Sequence, residues 1–301
     1  MTHKHTGSFL LLLTALIWGS ALVAQSVSMD LIGPFTFQCV RSVLGSLVLL
    51  PVIAVFSKRQ QRSAQEKRTQ WIGGLICGCV FFVAGSLQQI GLCYTSAGKT
   101  GFITALYIVL VPCIGIFFRR KVGWNVWLGV LLALVGLYLL CVTEALTIGT
   151  GEFLVFLSSL AFAVHILVID HFSPKTDGIK LSCMQFAVNA ILSGICMFLF
   201  EEPSAGAILD CWFPIGYAGI LSCGLAYTLQ IIGQKNTDPT VASLILSLES
   251  VFSALCGWLL LNEALTGREL LGCALMFVAI ILAQIKVGGT PKRGDLQEPA
   301  P

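Results

Sequence analysis

Apolar runs of about twenty residues recur ten times along this chain, each long enough to cross roughly 30 Å of hydrocarbon as a helix rising about 1.5 Å per residue. They cover 8–29, 33–56, 70–93, 98–118, 123–143, 151–170, 179–200, 213–233, 239–261 and 266–285. In hydrocarbon every backbone N–H and C=O must be satisfied within its own segment, so each run is predicted to be a helix. The fold class that follows is an all-α membrane protein with ten transmembrane helices. Composition agrees, since 56% of the 301 residues are hydrophobic and only 11% are charged, a balance outside the range of soluble domains. Lys4 precedes the first run and Leu22-Val23-Ala24 loosely resembles a cleavage site. The repeat described below nevertheless needs that run as a permanent helix.

Ten crossings put both termini on one side, and the basic residues say which. Of the 18 Lys and Arg, all but three fall in connections on the terminal side, among them Lys58, Arg59, Arg62, Lys67 and Arg68 after the second run and Arg119, Arg120 and Lys121 after the fourth. The opposite side holds only Lys99 and Arg268, and Arg41 lies inside the second run. Such a bias over short loops predicts cytoplasmic termini; the expected location is that of a multi-pass protein of the bacterial inner (cell) membrane. The acidic connection 201–210 then faces outward and reads as an ordinary solvated loop. A formal net charge of +3 gives no footprint for nucleic acid. No GxxxxGK[ST] loop is present, so ATP is not the expected energy source. The twelve cysteines show neither a CxxC pair nor a His partner at metal spacing and read as small apolar packing residues. No metal and no cofactor is expected; the expected partners are a small-molecule substrate and the lipid bilayer.

Sliding the chain against itself by 142 to 144 residues reveals a repeat. LQQIGLCYT (87–95) lies against LQIIGQKNT (229–237), and TALIWGSALV (14–23) lies against a segment of similar apolar spacing in the sixth run. Five helices per half is an odd number, so the second copy enters the membrane from the opposite face. The expected architecture is two inverted five-helix repeats, 8–143 (helices 1–5) and 149–286 (helices 6–10), followed by a polar cytoplasmic tail, 287–301. Inverted repeats of this kind build secondary transporters with a site between the halves.

TALIWGSALVAQ in the first run, GPFTFQCVRSVLG in the second, TSAGKTGFITALYIVLVPCIGIFF in the fourth and SLILSLESVFSALCGWLLLNEALTGRELLGCALMFVAIIL near the end together resemble the EamA-type transporters of the drug/metabolite transporter superfamily. The resemblance spans nearly the whole chain. It implies helices 1–4 and 6–9 around a central cavity with helices 5 and 10 peripheral, and it favours export. Two departures stand out: many members carry Pro after the glutamate of helix 9, where this chain has Ser250, and the acidic residue often found after helix 4 is replaced by Arg119-Arg120-Lys121.

The polar residues inside the runs are the candidates for chemistry. Arg41 lies eight residues beyond Gly33, roughly 12 Å deep and too deep to snorkel with ease; Gln38, Ser42 and Gly45 share its face. Glu249 lies roughly 15 Å from Pro239, near the midplane. Three arrangements of these two residues are open: a structural ion pair, an anion-binding Arg41 beside a Glu249 that binds a cationic group or a proton, or two groups that never meet. The repeat sets position 41 against Gln185 and Tyr107 against Glu249, so the cavity is expected to be chemically lopsided. The candidate substrate-binding set is Trp18, Arg41, Tyr107, Gln185 and Glu249, with Glu249 also the proton-coupling candidate. Thr100, Thr104, Gln25 and His165 are secondary candidates, only one of Gln88 and Gln89 is expected to face inward, and Gly74 with Gly78 suits close helix packing.

The functional expectation is a secondary transporter, an exporter of a small polar metabolite such as an amino acid, working by alternating access and not an enzyme. The alternatives are an intramembrane enzyme, which needs a nucleophile–base pair or metal cluster the runs do not supply, and a passive channel, which needs a polar lining continuous between faces.

Overall fold

The computed structural model describes residues 2–56, 63–118, 122–141, 149–235, 237–261 and 266–285. Among these residues all regular structure is helical. Nine helices are long and apolar enough to cross a membrane, and Trp124–Leu140 is a shorter apolar one; together they take up the ten runs of the sequence. Large apolar side chains such as Val55, Trp71, Phe117, Phe198 and Ile281 face outward, the reverse of a water-soluble surface and the arrangement a lipid solvent demands. The tail 287–301 and the cluster Arg119-Arg120-Lys121 lie outside the described residues.

The helices are α1 (Thr2–Ser28), α2 (Pro34–Phe56), α3 (Ala64–Leu92), α4 (Ala97–Ala105), α5 (Tyr107–Phe117), α6 (Trp124–Cys141), α7 (Thr150–Phe172) and α8 (Gly178–Phe200). A short helix α9 (Ala205–Asp210) is followed by α10 (Trp212–Gly216), a π-helical stretch Tyr217–Ala226, α11 (Tyr227–Gln234), α12 (Pro239–Leu246), α13 (Glu249–Leu261) and α14 (Gly267–Gln284). Local chemistry sets the starts. Ser63 Oγ accepts from Glu66 N at 3.2 Å while Glu66 Oε2 accepts from Ser63 N at 2.8 Å, a reciprocal cap that starts α3 at Ala64, ahead of the apolar run that hydropathy alone marks from residue 70. Thr266 and Glu269 form the same reciprocal cap on α14, while Asp177 and Asp238 accept from first-turn amides of α8 and α12.

The connection 201–210 is not the plain solvated loop expected of it. It contains α9, and Glu201 reaches across to the start of α2, where it accepts from Phe35 N and Thr36 N, both at 2.8 Å, and from Thr36 Oγ1 at 2.6 Å. A carboxylate placed there satisfies amides that open a helix and meets the positive end of its dipole. Gly33 makes room, since a Cβ at that position would lie 2.3 Å from Glu201 Cδ.

Packing follows a regular scheme. α2 runs along α8 and α6 along α14; α3 packs on α7, and α1 packs on the π-helical stretch and α11. α4 and α5 lie against α7, while α12 and α13 lie against α1. Side-chain bonds between helices also come in pairs. Cys39 Sγ donates to Ala190 O at 3.5 Å, and Cys183 Sγ donates to Ser46 O at 3.6 Å. Thr14 Oγ1 donates to Ala226 O at 3.1 Å, and Ser158 Oγ to Ala84 O at 2.7 Å. A Cβ on Gly7 would lie 2.9 Å from Gly233 O, and one on Gly91 would lie 3.0 Å from Gly151 O.

Glycine contacts also set the closest approaches between helices. Gly74 meets Met184 and Gly78 meets Val188, so the small pair expected in α3 packs on α8. Gly136 and Gly272 face each other's carbonyls, where a Cβ would lie 2.8 and 2.7 Å away. The eleven cysteines whose side chains are described are free thiols, and Cys77, Cys183, Cys211, Cys223 and Cys273 are buried, which suits their reading as packing residues.

Candidate substrate site

α2 carries Arg41 inward because it is packed against α8, the π-helical stretch and α3. Arg41 is 3% exposed. Its Nη1 donates to Gln25 Oε1 at 2.8 Å, its Nη2 donates to Gln38 Oε1, and its guanidinium carbon lies 5.2 Å from the centre of the Phe37 ring. These partners are neutral, and among the described residues no carboxylate reaches ion-pair distance of Arg41.

Because a guanidinium can only donate, it fixes the amides around it. Gln25 must turn its oxygen to Arg41, so Gln89, which meets that same oxygen at 2.5 Å, must turn its nitrogen. Gln89 Oε1 is then left buried without a donor, and Arg41 Nε without an acceptor. On the other flank Gln38 Nε2 donates to Asn189 Oδ1 at 3.4 Å, and Asn189 Nδ2 donates to Ser42 Oγ at 2.6 Å. Ser193 Oγ adds a donor to Asn189 Oδ1 at 3.3 Å.

Glu249 lies elsewhere. The fourth and ninth runs are each interrupted, one between α4 and α5 at Leu106, the other between α12 and α13 at Ser247 and Leu248. Both breaks are tightened turns: Leu106 N bonds Ile103 O and Leu248 N bonds Ile245 O, each at 3.2 Å. The residue that opens the helix after each break is Tyr107 in one and Glu249 in the other, and Tyr107 Oη donates to Glu249 Oε1 at 3.4 Å. The helix thus breaks without the Pro that Ser250 replaces, because a 3₁₀-type turn needs no missing N–H. On the first turn of α13 the carboxylate also meets the favourable end of that helix. α1 closes over this point, for a Cβ on Gly19 would lie 2.5 Å from Glu249 O.

Between the two polar centres stands a group of aromatic rings. Trp18 lies 4.4 Å from Tyr227 between ring centres, and Tyr227 lies 4.9 Å from Phe81 and 5.4 Å from Phe186, both edge-on. Tyr227 is within electrostatic reach of both Arg41 and Glu249. Next to it, His165 Nε2 donates to Gln185 Oε1 at 3.1 Å, so this His is held by a side-chain amide, while Gln185 Nε2 has no acceptor.

Of the five candidates, Tyr107 and Glu249 are bonded, Trp18 packs on Tyr227, and Arg41 and Gln185 each keep a separate set of partners. Arg41 and Glu249 do not pair. Gln88 and Gln89 are both buried, contrary to expectation: Gln88 bonds Thr104 Oγ1 at 3.0 Å and Gln89 bonds Gln25. α3 has protein on both flanks, so two positions 100° apart on it can each find an interior partner. Gly45 belongs to packing, with Cys223 where its Cβ would be. Sequence reasoning passed over Asn189 and Tyr227; the first carries a usable signal, a polar side chain one turn from Gln185 in an apolar run.

Residues 5–142 and 149–284 each match the model of the EamA-like transporter family. The chain belongs to this family. It is 31% identical to an uncharacterized transporter of Archaeoglobus fulgidus over 92% of this chain and 85% of that protein. It is 27% identical to the threonine/homoserine exporter RhtA of Escherichia coli (strain K12) over 95% of this chain and 94% of that one. A solved crystal structure that is 18% identical superposes with a TM-score of 0.77 over 93% of this chain and 96% of its own, which shows a shared fold. This EamA-like chain is therefore a multi-pass membrane transporter for a small molecule. Its α6 and α14 pack chiefly on each other, in keeping with the peripheral place that the family resemblance gives helices 5 and 10.

Proposed function

We propose that this protein is a secondary exporter of a small polar metabolite, such as an amino acid, which it moves across the bacterial inner membrane by alternating access of two inverted repeats, 8–143 and 149–286. The observation that carries the reading is the bond between Tyr107 and Glu249, residues 142 apart. Two positions equivalent in a repeat can touch only where the axis relating the halves passes between them. The paired bonds of Cys39 with Cys183 and of Thr14 with Ser158 support the same relation, as do two successive family matches on one chain. The excess of Lys and Arg on the terminal side supports cytoplasmic termini. The printed name of the Escherichia coli relative supports an amino acid as cargo.

In this reading Trp18, Arg41, Tyr107, Gln185 and Glu249 contact the substrate in turn. The halves rock about the axis, and interruption of α4–α5 and α12–α13 at matching places lets the helices that meet there bend without losing an interior run of hydrogen bonds. Glu249 is the group that exchanges a proton, and Tyr107 holds its carboxylate in place. The test is counterflow and efflux of amino acids in proteoliposomes with and without an imposed pH gradient. A gradient should drive transport in the wild type and fail to drive it in Glu249→Gln. Equal wild-type rates with and without the gradient would remove proton coupling, and currents far above transporter turnover would replace the carrier with a channel.

A further inference from the structure

We infer that the cargo of this transporter docks an anionic oxygen group on the unpartnered Nε edge of Arg41 and gives a neighbouring N–H or O–H to Gln89 Oε1, so the substrate class is a carboxylate carrying a hydrogen-bond donor close to the acid. The inference rests on the exporter reading above and narrows what the exporter carries.

The argument starts from charge. Arg41 cannot lose its proton, is 3% exposed, and among the described residues meets only neutral oxygens and an aromatic face. A buried, unpaired cation is costly in a low-dielectric interior, and Glu249, which could have neutralised it, is bonded to Tyr107 instead. A mobile anion therefore completes the site. Nη1 and Nη2 are each engaged by one amide, and Nε has no acceptor. The Nε–H and the remaining N–H on the same edge form the side-on fork that a carboxylate accepts in bidentate fashion.

The second half of the recognition comes from the chain of fixed amides. Arg41 Nη1 and Gln89 Nε2 converge on one atom, Gln25 Oε1, at 2.8 and 2.5 Å. Gln89 is fully buried, and its oxygen faces away from that bond without a donor. An unpartnered buried acceptor on one side of Gln25 and an unpartnered cationic donor on the residue across it ask for a ligand that offers both complements. A 2-amino or 2-hydroxy carboxylate does so; a simple carboxylate or chloride supplies only the anion. The counterpart of Arg41 in the other half, Gln185, also presents an N–H without an acceptor, but a neutral one, so only one anion site is built.

The test uses the purified full-length chain in detergent and in proteoliposomes. Thermal stabilisation is read for L-amino acids and 2-hydroxy acids beside their amides, methyl esters and desamino or deoxy analogues, in chloride and in chloride-free buffer. The expected result is stabilisation by the acids, affinity at least tenfold weaker for amides and esters, and about fivefold weaker for analogues lacking only the donor. Arg41→Lys, which keeps the charge and loses the fork, should weaken acid binding more than tenfold while its own melting stays cooperative. Gln89→Met should erase the preference for the amino or hydroxy acid over its analogue, and it keeps the proposal testable if Arg41→Lys does not fold. Equal binding of acids and esters, unaltered binding in Arg41→Lys, or an unaltered preference in Gln89→Met would overturn the inference. Stabilisation by chloride that no carboxylate competes with would overturn it as well, leaving Arg41 with an inorganic anion. Carboxylates that bind but are not moved would sink the exporter reading and leave this one standing. Transport confined to neutral or cationic solutes would do the opposite.

Discussion

Gln25 Oε1 receives Arg41 Nη1 and Gln89 Nε2 together, so removing it strands two buried donors. Gln25→Leu is expected to lower stability by about 3 kcal/mol, roughly the cost of two buried groups left unmet, against about 1 kcal/mol for Gln88→Leu, which loses one bond to Thr104; paired thermal melts in detergent check the difference. At the second centre, Tyr107→Phe removes one bond to Glu249 and should slow gradient-driven efflux up to about fivefold without abolishing it. Complete loss in that variant would give the hydroxyl a larger part than positioning. Arg41 and Glu249 were legible because a charge in an apolar run has few innocent explanations. Gln25 and Tyr107 also stood out, as polar residues inside apolar runs, but nothing along the chain joins Gln25 to Arg41 until helices are packed, and Tyr227 gains meaning only from the rings that other helices bring to it.

Glycine governs how closely whole elements approach. α6 and α14 touch at Gly136 and Gly272, so Gly136→Leu should push the two apart and cost about 1–3 kcal/mol, visible as a lower melting midpoint. Glu201 ties the end of α8 to the start of α2 through three bonds; Glu201→Ala should cost about 1–2 kcal/mol, as loss of a helix cap does. Limited proteolysis near residue 33 would report it. Apolar length located all ten membrane helices, since nothing but length and hydropathy is needed for that. It did not locate the polar first turns of α3, which a cap rather than hydrophobicity nucleates, nor the breaks before Tyr107 and Glu249, nor the π-helical stretch, because these depend on what lies alongside and not on the segment itself.

For the molecule as a whole, the proposed repeat rests on a handful of matched residues, and a physical reason for so weak an identity is that lipid-facing positions accept any apolar side chain, so only contacts between halves would constrain residue type. Thr14 and Ser158 make the same bond to carbonyls of different helices, and Thr14→Val and Ser158→Val should cost the same, about 1 kcal/mol each; values differing by more than about 2 kcal/mol would argue against the two-halves reading. Reporter fusions should find both chain ends in the cytoplasm. The meeting of Tyr107 with Glu249 has a numerical corollary. On the proposed two-repeat reading, a residue that sits where the halves are exchanged has its own twin as its neighbour, and here the twin of Glu249 is the phenol of Tyr107. If Glu249 carries an ion as proposed, this meeting point can carry only one per turnover.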